Sequence, residues 1–123
     1  MDNLFLEPTK NSPMVCFDAR GILIMKGRCY PENVYPMFYL IFEFAQKLVT
    51  KKVDIEIDLE YYNTATVKML LSLFYQLEKR EDILEVDVNW YYDIDDMDSR
   101  DTALVLAEKL QKVTFNVIET EAA

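Results

Sequence analysis

From Val53 to Leu59 the chain alternates without a break, with Val53, Ile55, Ile57 and Leu59 on one side and Asp54, Glu56 and Asp58 on the other. A strand repeats every two residues, so this stretch has one apolar face and one charged face. It cannot be a strand of a sheet covered on both sides, which reads as continuous apolar sequence. Helical spacing follows at Val67, Leu70, Leu71, Phe74 and Leu77. Ile83 to Trp90 then alternates again, through Leu84, Val86, Val88 and Trp90. Strand, helix, strand in this order predicts a parallel βαβ unit with a right-handed crossover. The charged strand faces place every helix on the opposite side of the sheet.

The flanking sequence extends the same pattern. Val15-Cys16-Phe17, a turn at Asp18-Ala19-Arg20-Gly21 and the run Ile22 to Met25 read as a hairpin, with Gly21 and Gly27 bracketing its second strand. Leu4-Phe5-Leu6 fits a short edge strand. From Val34, apolar residues recur at Met37, Phe38, Ile41, Ala45 and Leu48, with Pro31 and Pro36 at or near the first turn, where proline is tolerated. Tyr35, Tyr39 and Phe42 widen that stripe. This flank is either more core or a partner surface, and wide apolar stripes usually face a sheet. A third helix is expected from about Ser99 to Lys112, with Ala103, Leu104, Ala107 and Leu110 inward, and a last strand from Val113 to Ile118. The expected fold is a two-layer α/β single domain over residues 1–123. Its mixed sheet joins an N-terminal antiparallel hairpin to the parallel βαβ unit, with about three helices on one face.

Charge and composition exclude several functions. The net charge is -9, which phosphate backbones and anionic lipid repel, so neither nucleic acid nor a membrane surface is an expected partner. No apolar run is long enough to span a bilayer, and Met1-Asp2-Asn3 does not open a secretory signal, so the expected location is the cytoplasm. There is no histidine, which removes Ser-His-Asp and Cys-His catalysis and the commonest general base. Cys16 and Cys29 cannot make a zinc site alone, and in a cytoplasmic chain they are expected as thiols. No cofactor is expected.

Three segments carry polar detail. Glu60-Tyr61-Tyr62-Asn63-Thr64-Ala65-Thr66-Val67-Lys68 lies between a strand's carboxyl end and a helix start, the edge where open α/β sheets place functional loops. Asn63 and Thr64 are both good helix-capping types, and capping alone explains them. A hydroxyl at that position is also open to a kinase, and a phosphate there meets the positive end of the helix dipole. Tyr30-Pro31-Glu32-Asn33 reads as a turn into the first helix, or as a recognition surface beside the same loop. Trp90-Tyr91-Tyr92 leads into Asp93, Asp95, Asp96 and Asp98. Oxygen clusters of this kind attract magnesium or calcium, but the glycine and terminal glutamate of a calcium-binding loop are missing. A solvated acidic loop whose last residues favour the next helix's N-terminus accounts for them without a metal. Trp90 is expected in the core, with Tyr91 or Tyr92 exposed.

Taken together, Thr9 to Pro13, Tyr30-Pro31-Glu32-Asn33, Tyr62-Asn63-Thr64 with Lys68, and Asn89-Trp90-Tyr91-Tyr92-Asp93 resemble the SiaC family of bacterial regulatory phosphoproteins along nearly the whole chain. That family is similar in general shape to partner-switching anti-sigma-factor antagonists. The resemblance implies a non-catalytic protein whose threonine is phosphorylated by a dedicated protein kinase and dephosphorylated by a PP2C-type phosphatase. It implies that the unmodified form binds a diguanylate cyclase, promoting cyclic di-GMP synthesis and biofilm growth. The family's threonine follows an asparagine, which places it on Thr64. Two serines often follow in the family; here they are Ala65 and Thr66, so Thr66 is a second candidate. The partner-binding residues carried over are Tyr30, Glu32, Asn33, Tyr62, Asn63, Lys68, Tyr91, Tyr92 and Asp93. The alternative function is a constitutive interaction or dimerisation module without a phospho-switch.

Overall fold

The structure is a computed structural model and describes residues 2–121. Its elements in chain order are β1 (Leu4–Leu6), β2 (Met14–Phe17), β3 (Ile22–Cys29), α1 (Tyr35–Lys47), β4 (Lys52–Tyr62), α2 (Thr64–Glu78), β5 (Glu85–Asp93), α3 (Met97–Glu108) and β6 (Val113–Thr120). The strands lie side by side in sequence order, β1 to β6. β1, β2 and β3 pair antiparallel; β3, β4, β5 and β6 pair parallel. Each parallel connection carries one helix, and the three helices share one face. The expected mixed sheet with helices on one side is therefore the observed fold.

The alternation sets the layers. Val53, Ile55, Ile57 and Leu59 of β4 are buried beneath the helices, beside Val86, Val88 and Trp90 of β5 and Leu23 and Met25 of β3. Phe38, Ile41, Phe44 and Ala45 of α1 and Leu70, Leu73, Phe74 and Leu77 of α2 close that face. The other face is wet. There Glu56, Asn89 and Asn116 lie in register on β4, β5 and β6. Asn116 Nδ2 donates to Asn89 Oδ1 and Asn89 Nδ2 to Glu56 Oε1, both at 3.0 Å. Each carboxamide thus satisfies its neighbour across the strands.

Several sequence expectations need correction. Gly27 does not end the second hairpin strand: β3 continues to Cys29, and Gly27 sits inside it at φ +127°. Beyond it the pairing moves from Gly27–Leu59 to Arg28–Tyr61, so Glu60 is left unpaired as a bulge. The bulge turns Tyr62 toward the helices, opposite Cys29. In α2 the buried stripe runs through Leu73, while Leu71 and Val67 are half-buried at its margin. Leu84 precedes β5 and is exposed; Ile83 takes the buried place. α3 starts at Met97 and presents Ser99, Ala103 and Leu106 inward, so Leu104 faces out. The flank of α1 divides: Phe42 packs on the core, whereas Tyr35 and Tyr39 are 63% and 66% exposed.

Two charged side chains tie the amino edge of the sheet together. Arg80 donates from Nη1 to the Ala45 carbonyl at 3.0 Å, which also accepts the Leu48 N–H at 3.2 Å, and from Nη2 to the Leu48 carbonyl just past the end of α1. Glu78, the last residue of α2, accepts three backbone N–H bonds on Oε1, from Gln111 at 2.7 Å, Lys112 at 2.6 Å and Val113 at 3.1 Å. Bonds to a charged acceptor are the stronger kind. Glu78→Ala is expected to lower unfolding free energy by about 2 kcal/mol, and Glu78→Gln to recover part of it. Urea denaturation of both variants checks this.

Candidate functional site

The carboxyl edge of the sheet gathers the segments singled out above. β3 ends at Cys29 opposite Tyr62, the last residue of β4, so the exits of the two strands are adjacent. The Tyr30–Asn33 turn leaves one and the Asn63 cap of α2 leaves the other. Asn63 stands in extended conformation and accepts the Thr66 N–H on Oδ1 at 2.9 Å, which is an N-cap. Its own N–H donates to the Cys29 carbonyl at 3.1 Å, and its Nδ2 to the Pro31 carbonyl at 3.4 Å. One asparagine thus ties the helix start to the end of β3 and to the turn that follows it. That turn is held from its other side, where the Tyr30 N–H donates to the Asn11 carbonyl at 2.9 Å and the Tyr30 hydroxyl to the Lys10 carbonyl at 3.4 Å.

The two candidate threonines differ completely. Thr64 is the first residue of α2 and exposed. Thr66 is fully buried. Its hydroxyl lies 2.8 Å from Asn63 Oδ1, 2.9 Å from the Cys29 carbonyl and 3.2 Å from Cys29 Sγ. The Thr66 hydroxyl is thus part of the clamp that holds the helix start, with no open space beside it. Two hydroxyls in one short motif look alike in sequence. The helix period turns one outward and the next but one into the sheet. Cys29 belongs to the same clamp. Burial pushes its thiol pKa up, with the Thr66 hydrogen bond opposing, which leaves a protonated thiol and not a nucleophile. Cys16 is also a free thiol.

Around Thr64 the structure brings together Asn63 and Lys68, one turn further along α2, with Tyr62 half-buried at the strand end. Tyr30, Glu32 and Asn33 are exposed on the adjoining turn, and Asn33 Oδ1 accepts the Tyr35 N–H at 3.1 Å ahead of α1. Sequence reasoning passed over Arg28 and did not place Tyr61 beside it. The Arg28 guanidinium lies 5.2 Å from the centre of the Tyr61 ring, with Glu60 Oε2 at 3.5 Å. Only the Glu60 bulge puts Tyr61 beside Arg28, and no periodicity signals a bulge.

The Trp90–Asp98 segment does not join this group as a unit. Trp90 is buried, and its Nε1 donates to Ser99 Oγ at 3.0 Å. Tyr91 lies on the wet face with Asp87 and Asn89, and the Glu56 carboxylate beside it raises its phenol pKa. Tyr92, expected as a partner contact, is buried among the helices with its hydroxyl donating to Glu119 at 3.3 Å; strand alternation allows only one of the pair to face out. Asp93 Oδ1 accepts the Asp95 N–H at 2.8 Å, and Asp96 Oδ1 caps α3 through the Ser99 N–H at 3.2 Å. Among the described residues no three carboxylates or thiols converge on a common point. Two of the four aspartates thus serve local backbone.

A family model described as the SiaC family of regulatory phosphoproteins matches residues 6–120. An uncharacterized protein of Pseudomonas aeruginosa (strain UCBPP-PA14) is 26% identical over 98 residues, covering 76% of this chain and 78% of that one. A crystal structure of apo-SiaC from Pseudomonas aeruginosa superposes with a TM-score of 0.82 at 23% identity, covering 98% of this chain and 99% of the other. The SiaC chain in the crystal structure of the diguanylate cyclase SiaD with its activator SiaC, from the same organism, gives a TM-score of 0.80 at 22% identity over 97% and 99%. At these identities the superpositions establish the fold.

Proposed function

The chain belongs to the SiaC family of regulatory phosphoproteins, and from that premise we propose that Thr64 is its phosphoacceptor and that the phosphate decides which partner proteins it binds. The observation that carries this reading is the contrast between the exposed Thr64 hydroxyl and the buried Thr66 hydroxyl. A phosphate on Thr64 adds about -1.5 to -2 charges at neutral pH. It does so at the positive end of α2, where the helix dipole favours an anion. The Asn63 cap is left in place, so the switch changes the surface and leaves the fold alone.

In this reading a protein kinase adds the phosphate and a PP2C-type phosphatase removes it. The unmodified surface binds a diguanylate cyclase, as SiaC of Pseudomonas aeruginosa does in its complex with SiaD. Tyr30, Glu32, Asn33 and Lys68 form the exposed surroundings a partner meets at Thr64, with Tyr91 and Asp93 as a separate patch. The chain acts by binding and performs no catalysis of its own. The test is mass spectrometry of the protein isolated from its own organism, before and after phosphatase treatment. The tryptic fragment 53–68 carries both threonines, and fragment ions place the phosphate. A phosphatase-sensitive phosphate on Thr64 is expected. An unmodified chain under every growth condition would overturn the switch. Constitutive binding through the exposed Tyr35, Tyr39 and Leu40 of α1 would then be the better account.

A further inference from the structure

The sheet has two open edges, and they differ. β1 is three residues long and offers little to pair with. β6 runs for eight residues, and among the described residues it pairs only with β5. It holds no proline, no lysine and no break in register, the devices that usually blunt an edge. The Thr120 carbonyl accepts the Ile94 N–H at 3.0 Å, so Thr120 turns its backbone groups to β5. These groups alternate along a strand, so Thr114, Asn116 and Ile118 face β5 as well, while Phe115, Val117 and Glu119 face the open edge. Val113 fits this phase, since its N–H donates to Glu78 Oε1 at 3.1 Å and not to β5. Asn116 is also where the carboxamide ladder of the wet face ends. Its Nδ2 gives one N–H to Asn89; its second N–H and its Oδ1 have no partner among the described residues. On the other face Phe115 and Val117 are half-buried against the core. Above them Ala103 and Leu106 of α3 point inward, and Val105 lies on the flank toward α2, across an open groove from Val67 and Leu71. Leu104 lies on the opposite flank, the one that looks past β6, and is 39% exposed.

We propose that β6 pairs antiparallel with β6 of a second copy of the chain, on a twofold axis through Asn116, giving one sheet continuous through both copies. The end of the ladder identifies the occupant. A twofold axis sets a residue opposite itself, and a carboxamide is its own complement, because one N–H and the oxygen on each side satisfy the same pair on the other. A carboxylate or an ammonium would answer only one of the two groups. In this register Asn116 falls at a non-hydrogen-bonded position, where opposed Cα atoms lie about 4.5 Å apart and side chains come closest. Phe115 then exchanges both edge backbone bonds with Val117 of the second copy, and Val117 does the same with Phe115, so apolar side chains meet on the helix face. The Glu119 N–H reaches the Val113 carbonyl, the edge group of Val113 that Glu78 leaves free. Moving the axis to Val117 would set Glu119 against Phe115 and Asn116 against Ile118, and the ladder would stop. On the helix side the two α3 flanks approach across the axis and bring Leu104 toward its counterpart, covering both. The inference does not depend on Thr64 or on a phosphate there.

The test is analytical ultracentrifugation of the full chain. Each copy carries a net charge of -9, so the runs use about 0.15 M salt, where screening acts over about 8 Å. The wild type is expected to populate both monomer and dimer near about 0.1 mM, as a small interface does. Asn116→Asp and Asn116→Lys each set like charges on the axis, and each is expected to weaken dimerisation by about tenfold or more. Asn116 is exposed, and circular dichroism confirms that the variants fold. Mixed in equal amounts, the two variants are expected to pair again, because the axis then holds one carboxylate and one ammonium. Tyr39→Asp, on the exposed flank of α1, is expected to dimerise as wild type. A wild type that stays monomeric would overturn the proposal and leave the β6 edge to a strand of another protein. Dimers that survive both substitutions at Asn116, or that fail in Tyr39→Asp, would put the interface elsewhere and overturn it as well. Two monomeric Asn116 variants that remain monomeric when mixed would overturn the axis through Asn116.

Discussion

Thr64→Ala is expected to yield a fully folded protein with no phosphate on fragment 53–68, under conditions where the wild type is phosphorylated. The expected effect is a complete loss because no other hydroxyl on that fragment is both a threonine and exposed. Stability should stay within about 0.5 kcal/mol of wild type, since the cap of α2 belongs to Asn63 and alanine is a good helix former. Thr66 supplies the counter-experiment. Thr66→Val keeps the volume and removes the hydroxyl, leaving the clamp to Cys29 without its donor. It should cost about 1–2 kcal/mol while phosphate still reaches Thr64. Thr64→Glu places an acid in the first turn, where the helix dipole tolerates or favours it, so stability is kept while cyclase binding falls. Undiminished phosphate on the 53–68 fragment of Thr64→Ala would make the site assignment wrong. A fold lost in Thr64→Ala would show that the hydroxyl is structural.

The β4–α2–β5 unit was legible because its alternation and helical spacing report burial directly. The errors fall where burial is set by a partner the pattern does not contain. Ser99 takes an inward place on α3 because the Trp90 indole donates to it; a polar residue in that place hides the stripe, and the apolar spacing points to Leu104 instead. The apolar alternation reaches back to Leu84, whereas Leu84 N–H and Glu85 N–H both donate to the Lys51 carbonyl at the mouth of β4. Val67 and Leu71 have core-like spacing but line an open groove, since spacing tells which way a residue points and not how closely the next helix stands. Arg80 and Glu78 carry no periodic signal, yet each satisfies backbone groups more than thirty residues away in sequence. At the site, the motif containing Thr64 and Thr66 was legible and its division was not. That division depends on Cys29 lying beside the helix start, a contact that only the sheet creates.

Trp90→Ala is expected to be the most destabilising substitution considered, at about 3–5 kcal/mol. Trp90 is 1% exposed and is the largest fully buried side chain. Its ring meets Tyr62 edge-on at 5.8 Å and Phe115 at 6.1 Å, and its N–H is spent on Ser99. Alanine removes all three contacts at once and leaves a cavity under the start of α3, which the sheet cannot close because Trp90 sits between paired neighbours on β4 and β6. Against a usual total of about 5–15 kcal/mol for a domain, this is a large fraction, and the melting temperature should fall by roughly 15 °C. Trp90→Phe separates the contributions: it keeps most of the apolar contact and loses the bond to Ser99, so about 1–2 kcal/mol is expected. The consequence reaches the site through Tyr62, which packs on Trp90 and immediately precedes the Asn63 cap. Amide exchange at Thr66 and Val67 should therefore quicken in Trp90→Ala by more than global unfolding accounts for. Exchange that tracks global stability alone would mean that the cap is held by β3 and the Pro31 turn without help from the aromatic contact.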